Sequence, residues 1–104
     1  MDNQLTRSIQ ALADPTRRAI LQMLQAGDLT AGEIAAHFQI SGPSVSHHLS
    51  VLKNAELVLA QRSGQNIIYR LNATVMQELL QQLMSLFRVG EQAGVEAHQE
   101  ESDA

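Results

Sequence analysis

The sequence predicts a mainly α-helical fold with a small β-hairpin, and three observations support this prediction. Apolar residues recur at helical spacing through most of the first 57 residues. Two short helical patterns, one ending at Phe38 and one beginning at Ser41, are separated only by a tight turn at Gln39-Ile40. After Leu57 the period changes, because two β-prone runs flank four turn-forming residues. This order is typical of a winged helix-turn-helix, with about five helices and a two-stranded wing.

The composition describes one small domain. Of the 104 residues, 44% are apolar but only 3% are aromatic, so the core must be aliphatic and thin. Such a short chain is expected to gain stability by sharing helix faces with a second copy. Residues 1–90 are expected to form this domain, and the acidic residues 91–104, which lack core residues, a disordered tail.

Cysteine usage and hydropathy exclude several classes of protein. The chain has no cysteine, so a disulfide framework, a thiolate metal site and a cysteine nucleophile are excluded. No apolar run approaches the roughly 20 residues that span a bilayer, and the amino terminus lacks the features of a signal peptide. A cytoplasmic protein is expected.

The first two helices are separated by a capping sequence. Asp14 is a natural N-cap and Pro15 a natural first-turn residue for the second helix, which should end at Gly27. Arg17 and Arg18 fall in the first turn, where they oppose the helix dipole, so a carboxylate or a phosphate should lie near one of them. The first helix is short, with an apolar stripe of Leu5, Ile9 and Leu12.

The third helix has a clear start signal. Thr30 and Glu33 have capping-box spacing, and the helix that they open should bury Ile34, Ala35 and Phe38. The fourth helix follows after the tight turn, so the two helices form a helix-turn-helix.

The fourth helix has two contrasting sides. Ser41 can cap it and Pro43 can start it. One side is an apolar stripe of Val45, Leu49 and Leu52. The other side carries compact polar groups and no carboxylate: Pro43, Ser46, His47 and Ser50. Such a side suits insertion into a DNA groove, although on this feature alone a serine-rich surface helix is an equal alternative.

The next segment is predicted to be a hairpin. Residues 58–62 and 67–71 are β-prone runs around the turn-forming residues 63–66. A lone hairpin is unstable, so it must pack on the helices as a wing does. Its tip or shoulder then carries Arg62, Gln65 and Asn66, within reach of a groove or a phosphate.

The last helix should begin near Asn72 to Thr74 and run to about Val89. Its apolar residues cover more than one face, which implies a partner helix. Contact with a membrane surface is the less favoured alternative, because Arg88 is the only basic residue of this helix.

The net charge of −4 is unevenly distributed. Residues 73–104 hold one arginine and six acids, whereas residues 41–72 hold three basic residues and one acid. Because screening confines charge effects to roughly 10 Å, the local excess matters more to a phosphate than the total does. The excess is small, so modest DNA affinity that depends on dimerisation is expected.

Four segments together resemble the ArsR/SmtB family of bacterial winged-helix repressors. They read D-P-T-R-R-A-I-L-Q-M-L at 14–24, L-T-A-G-E-I-A at 29–35, S-V-S-H-H-L-S-V-L-K-N-A-E-L-V at 44–58 and I-I-Y-R-L at 67–71. The similarity covers about residues 3–89. It implies a homodimer joined through the first and last helices, which binds an inverted repeat in operator DNA.

The resemblance also implies roles for individual positions. His48 lies closer to the buried stripe and is expected to be a packed, hydrogen-bonded histidine instead of a base reader. The base-facing residues would be Gly42, Pro43, Ser46 and His47, with Ser44, Ser50 and Lys53 near the DNA backbone and Arg62, Gln65 and Asn66 on the wing. The dimer interface would include Leu5, Ile9, Leu79, Leu83, Leu86 and Phe87.

The chain departs from the family pattern at the end of the fourth helix, where Glu56 replaces the usual glycine. A left-handed glutamate costs about 1 kcal/mol, so the exit into the wing is a point to test.

The resemblance implies no metal and no other cofactor. The thiolate pair of the arsenic and cadmium sensors is absent. The second common site of the family maps to Ala73, Val75, Leu86 and Val89, none of which can bind zinc. His98, in the acidic tail, is expected to be a solvated histidine.

Within the family, the short leucine-rich last helix is most similar to the SdpR-type autorepressors. That resemblance implies repression of its own or a neighbouring operon, released by a protein or membrane-protein partner instead of an ion. A protein-interaction module that uses the same scaffold without DNA is the alternative. An enzyme is not expected, because the sequence lacks a nucleophile elbow, a zinc-protease motif and a phosphate loop.

Overall fold

The computed structural model describes residues 3–88. Its elements are α1 (Asn3–Ala11), α2 (Pro15–Ala26), β1 (Leu29–Thr30), α3 (Ala31–Phe38), α4 (Gly42–Asn54), β2 (Val58–Ser63), β3 (Asn66–Leu71) and α5 (Ala73–Phe87). The predicted five helices and β-hairpin are confirmed. The predicted tail at 91–104 and His98 lie outside the described residues, and so does Val89.

The sheet has one more strand than the sequence predicted. β1 pairs with β3 in the antiparallel register Leu29↔Tyr69 and Thr30↔Ile68, and the strand order is β1-β3-β2. A strand of two residues is too short to produce an alternating pattern, and Thr30 also caps α3. This third strand ties the wing to the helix-turn-helix.

The hairpin loop is shorter than the predicted four-residue turn. Pairing between β2 and β3 continues to Ser63↔Asn66, which leaves only Gly64 and Gln65 between the strands. Gly64 has φ +65°, a conformation that favours glycine. The turn-forming composition of Ser63 and Asn66 concealed their pairing.

The core is aliphatic, as expected. It lies where α2, α3 and α4 meet the start of β2, and α1 and α5 close it. Its largest fully buried apolar side chains are Ile20, Ile34, Val45, Leu49, Leu52, Leu57 and Val58.

Helix α1 packs through small residues. Ala11 is fully buried and Ser8 is 2% exposed, whereas Ile9 in the middle of the predicted stripe is 45% exposed. Leu5 and Leu12 are half-buried against the core. The small side chains of Ser8 and Ala11 let α1 approach its neighbours closely, and the helix is rotated so that Ile9 points away.

The start of α2 confirms the predicted cap but corrects the predicted arginine partner. Asp14 Oδ1 accepts hydrogen bonds from the Thr16 and Arg17 N–H groups at 2.8 and 3.1 Å. Arg17 Nε donates to the Ala11 carbonyl at 2.7 Å, and Arg18 Nη1 donates to the Leu12 carbonyl at 2.6 Å. The partners are therefore carbonyls at the end of α1, not a carboxylate or a phosphate, because the negative end of the α1 dipole lies beside these cations.

The capping box of α3 is confirmed. Thr30 Oγ1 accepts from the Glu33 N–H at 3.2 Å, and Glu33 Oε1 accepts from the Thr30 N–H at 2.8 Å. Ile34 is fully buried, and Phe38 is half-buried. Gln39 has φ 58° and turns the chain toward α4.

The exit from α4 adopts the left-handed turn considered for Glu56. Glu56 has φ 64°, and β2 begins two residues later at Val58. The chain thus keeps this exit without the glycine that the family pattern has.

Helix α5 is capped by Asn72, whose Oδ1 accepts from the Val75 N–H at 3.3 Å. It ends at Phe87, slightly before the predicted end, because Arg88 has φ 55°. Only Leu79 is fully buried among its residues. Within residues 3–88, no helix is both long and apolar enough to cross a bilayer.

Candidate nucleic-acid interface

The amino end of α4 is an accessible helix terminus. Ser41 Oγ accepts from the Ser44 N–H at 3.2 Å and donates to Ser44 Oγ at 3.1 Å. A Cβ built on Gly42 meets nothing within 4 Å, so the fold itself does not require glycine there. Absence of a side chain at this position leaves room for another molecule to approach the N–H groups of the first turn.

Helix α4 separates a buried side from an exposed one. Val45, Leu49 and Leu52 are each at most 1% exposed. The predicted DNA-facing residues of this helix are all exposed: Gly42, Pro43, Ser44, Ser46, His47, Ser50 and Lys53. Because none of them carries a carboxylate, a phosphate meets no anionic side chain from this set.

The two histidines of α4 have different surroundings. His47 is exposed, whereas His48 is half-buried. Nδ1 of His48 lies 3.4 Å from Nη1 of Arg17. The expectation that His48 is a packed, hydrogen-bonded histidine is confirmed, and the two imidazole rings lie 5.7 Å apart at 57°.

The wing presents a second group of polar side chains. Arg62, Gln65 and Asn66 are exposed at its far end. Arg70, which the sequence prediction did not include, donates from Nη2 to Gln61 Oε1 at 2.8 Å across the strands. The bond holds one cationic side chain in place along the hairpin.

The local charge favours an anionic partner. Between residues 41 and 72, the basic residues are Lys53, Arg62 and Arg70 and the only acid is Glu56; all four are exposed. The surface built by α4 and the wing is therefore positive although the whole chain carries −4.

The predicted dimer residues differ in exposure. Ile9, Leu86 and Phe87 are 45%, 60% and 69% exposed, and Leu5 and Leu83 are half-buried. Leu79 is only 5% exposed and packs into the core of its own chain. Leu80 and Met84, which the prediction did not include, are 58% and 39% exposed.

An apolar groove accompanies these exposed residues. It has a volume of about 340 Å³ and is lined by Leu12, Met76, Gln77, Leu79, Leu80 and Leu83. Leu80 and Met84 are four residues apart and Phe87 follows three residues later, so they form a second apolar stripe on α5. Their heptad-like spacing was the sequence signal for this stripe.

The comparisons with known proteins match this geometry. A family described as "Bacterial regulatory protein, arsR family" matches residues 14–59, which run from the cap of α2 into β2. The transcriptional repressor SdpR of Bacillus subtilis is 50% identical over 82 residues, which are 79% of this chain and 91% of that protein.

Two further similarities concern a metal-resistance repressor and a solved structure. The arsenical resistance operon repressor of Staphylococcus aureus is 35% identical over 80 residues, or 77% of each chain. The structure of an ArsR-like transcriptional regulator from Rhodococcus sp. RHA1 has a TM-score of 0.73 at 26% identity and covers 97% of this chain and 92% of its own.

Proposed function

This chain belongs to the ArsR family of bacterial regulatory proteins, and we propose that it represses transcription as a homodimer that binds operator DNA sequence-specifically. The observation that carries the proposal is the exposed, carboxylate-free side of α4, on the same helix whose opposite side is fully buried. The named relatives are regulators of transcription, which confirms that the chain is not an enzyme.

Helix α4 has the shape and chemistry of a recognition helix. In the proposal it lies in the major groove with Ser46 and His47 at base edges, since hydroxyl and imidazole groups donate and accept hydrogen bonds. Ser44, Ser50 and Lys53 lie near the phosphates, together with the N–H groups of the first turn. The wing residues Arg62, Gln65 and Asn66 contact the flanking DNA.

Dimerisation is supported by the apolar surface that the single chain leaves exposed. Ile9, Leu86 and Phe87 lie on the first and last helices, and Leu80 and Met84 extend the same surface. Covering it with a second copy places two α4 helices on one face of DNA, with half-sites about 34 Å apart. Residues 1–90 form this repressor unit in the proposal, and residues 91–104 form a disordered tail.

Regulation without metal is proposed because the donor atoms are missing. The sequence has no cysteine, and Ala73, Val75 and Leu86 have no side-chain donor for zinc. Within residues 3–88, no three His, Asp or Glu side chains are grouped to hold a metal ion.

The similarity to SdpR supports a finer proposal about regulation. We extend it to repression of its own or a neighbouring operon in the cytoplasm, relieved by a protein or membrane-protein partner.

The direct test is a gel-shift titration of the full chain against its own promoter DNA. Operator binding should exceed binding to random DNA, persist in EDTA and resist zinc, cadmium and arsenite. Ser46→Ala and His47→Ala should each lose about 1–3 kcal/mol of operator binding while dimerisation is unchanged. Ser85→Ala, an exposed serine on α5, is the matched control.

Two outcomes would contradict the proposal. One is a promoter shift no stronger than that of random DNA at moderate salt. The other is full operator binding by both α4 variants, which would favour a protein-interaction module on the same scaffold.

A further inference from the structure

The side chain of Arg17 connects three helices. It leaves the first turn of α2, and its Nε and Nη2 donate to the carbonyls of Ala11 and Gln10 at the end of α1, at 2.7 and 3.1 Å. Its remaining terminal nitrogen, Nη1, faces Nδ1 of His48 on α4 at 3.4 Å. One guanidinium thus spans from the helix proposed for dimerisation to the helix proposed for DNA reading.

The chemistry of the contact determines the state of the His48 ring. A guanidinium has donors and no acceptor, so Nδ1 of His48 has to be the acceptor. The ring is then neutral and carries its proton on Nε2. Asp14 completes the surroundings: its carboxylate is held by the N–H groups of Thr16 and Arg17, and the nearby charges of His48 and Arg17 also act on it.

His48 is well placed to affect DNA reading without contacting DNA. It directly follows His47 and precedes the buried Leu49, so its ring lies at the border between the reading side and the core side of α4. A hydrogen bond at this border opposes rotation of α4 about its own axis. Small rotations of this helix would move Ser46 and His47 away from base edges, where contacts need hydrogen-bond geometry.

We propose that Arg17 and His48 are a positioning pair that sets the orientation of the α4 reading side relative to α1, and thereby the operator affinity of the dimer. This inference rests on the proposed function, because it assumes that α4 reads the operator. Neither residue contacts DNA in the proposal. Both act through Ser46 and His47.

The first experiment compares three replacements of His48 in the full chain. Asparagine keeps an acceptor near the position of Nδ1, glutamine moves the acceptor toward the position of Nε2, and leucine has none. His48→Leu and His48→Gln should bind operator about tenfold more weakly than the parent, the size expected for one lost hydrogen bond. His48→Asn should remain within about threefold of the parent.

Three measurements separate positioning from general damage. Binding to random DNA, the dimer dissociation constant and the thermal midpoint are measured beside operator binding. Only operator binding should change for His48→Gln. Equal operator binding by the leucine, glutamine and asparagine variants, or equal losses in all three, would overturn the pair.

Arg17 and the parent chain supply independent tests. Arg17→Lys keeps the charge but cannot reach three acceptors with one planar group, so it should weaken operator binding about as much as His48→Leu. In the parent at neutral pH, long-range proton–nitrogen NMR correlations should show the Nε2–H tautomer of His48. Observation of the Nδ1–H tautomer would overturn the proposal even if every variant failed to fold.

Failure of the pair and failure of the proposed function give different results. If the parent binds its operator and His47→Ala weakens binding while the His48 variants match the parent, only the positioning pair is wrong. If the parent shows no preference for operator over random DNA, the proposed function itself is wrong.

Discussion

The Leu57 N–H donates to the Leu52 carbonyl at 3.0 Å, closing the end of α4 across the left-handed residue Glu56. The Glu56 N–H donates to the Lys53 carbonyl at 2.8 Å. These two bonds define a Schellman motif, in which glycine usually occupies the left-handed position. The chain therefore forms the complete cap with a residue that is strained there.

Replacement of Glu56 by glycine should stabilise the protein. The left-handed conformation costs a residue with a β-carbon about 1 kcal/mol, which glycine does not pay. We expect Glu56→Gly to raise the free energy of unfolding by about 1 kcal/mol in urea titrations at constant protomer concentration. Glu56→Ala keeps the β-carbon and should stay within about 0.5 kcal/mol of the parent. Equal stability of the glycine and alanine variants would contradict this explanation.

The cap of α2 should make stability depend on acidic pH. The Arg17 N–H is the largest cause that lowers the pKa of Asp14, followed by the Thr16 N–H and the charges of His48 and Arg17, while desolvation opposes them. A carboxyl whose pKa is lower in the folded state stabilises the fold above its unfolded value, near pH 4, and this contribution is lost as pH falls through the folded pKa.

Asp14→Asn is the matched variant, because asparagine caps a helix but does not titrate. The parent should be more stable than Asp14→Asn at pH 6, and the difference should shrink as the pH falls below about 4. Thermal melts across this range measure it. A difference that is the same at both ends of the range would show that the charge of Asp14 has no role.

The exposed end of α5 should control dimerisation. Leu86 is 60% exposed, so Leu86→Glu leaves the single chain folded but places a charge on the proposed interface. Burial of one leucine is worth about 1.5–3 kcal/mol, so the dimer dissociation constant should rise at least about tenfold in sedimentation equilibrium. Ser85→Glu adds the same charge on the opposite side of the helix and should leave the constant unchanged. Equal effects of both variants would place the interface elsewhere.

The wing should contribute affinity without sequence preference. Arg62 is exposed near the loop, where a cation meets phosphates more readily than base edges. Arg62→Ala should weaken binding to operator and to random DNA by the same factor and reduce the salt slope of the logarithmic affinity by about 1 for each monomer contact. Arg62→Lys keeps the charge and should keep the slope. Loss confined to the operator would instead assign base reading to Arg62.

Features that depend on near neighbours along the chain were predictable from the sequence. The caps at Asp14, Thr30, Ser41 and Asn72 each involve bonds within three residues, so the residue types were sufficient. The stripe of α4 was predictable for the same reason, because helical periodicity places Val45, Leu49 and Leu52 together.

Features that join distant segments were decided only by the tertiary structure. The pairing of β1 with β3 joins residues about forty positions apart, and two residues cannot signal such a partner. Arg17 clearly needed a partner, but its actual acceptors depend on where α1 and α4 lie beside α2. The outward direction of Ile9 likewise depends on the close approach that Ser8 and Ala11 allow. Local chemistry along the chain thus determined where helices begin and which face of α4 is polar, whereas packing between helices determined how that face is held.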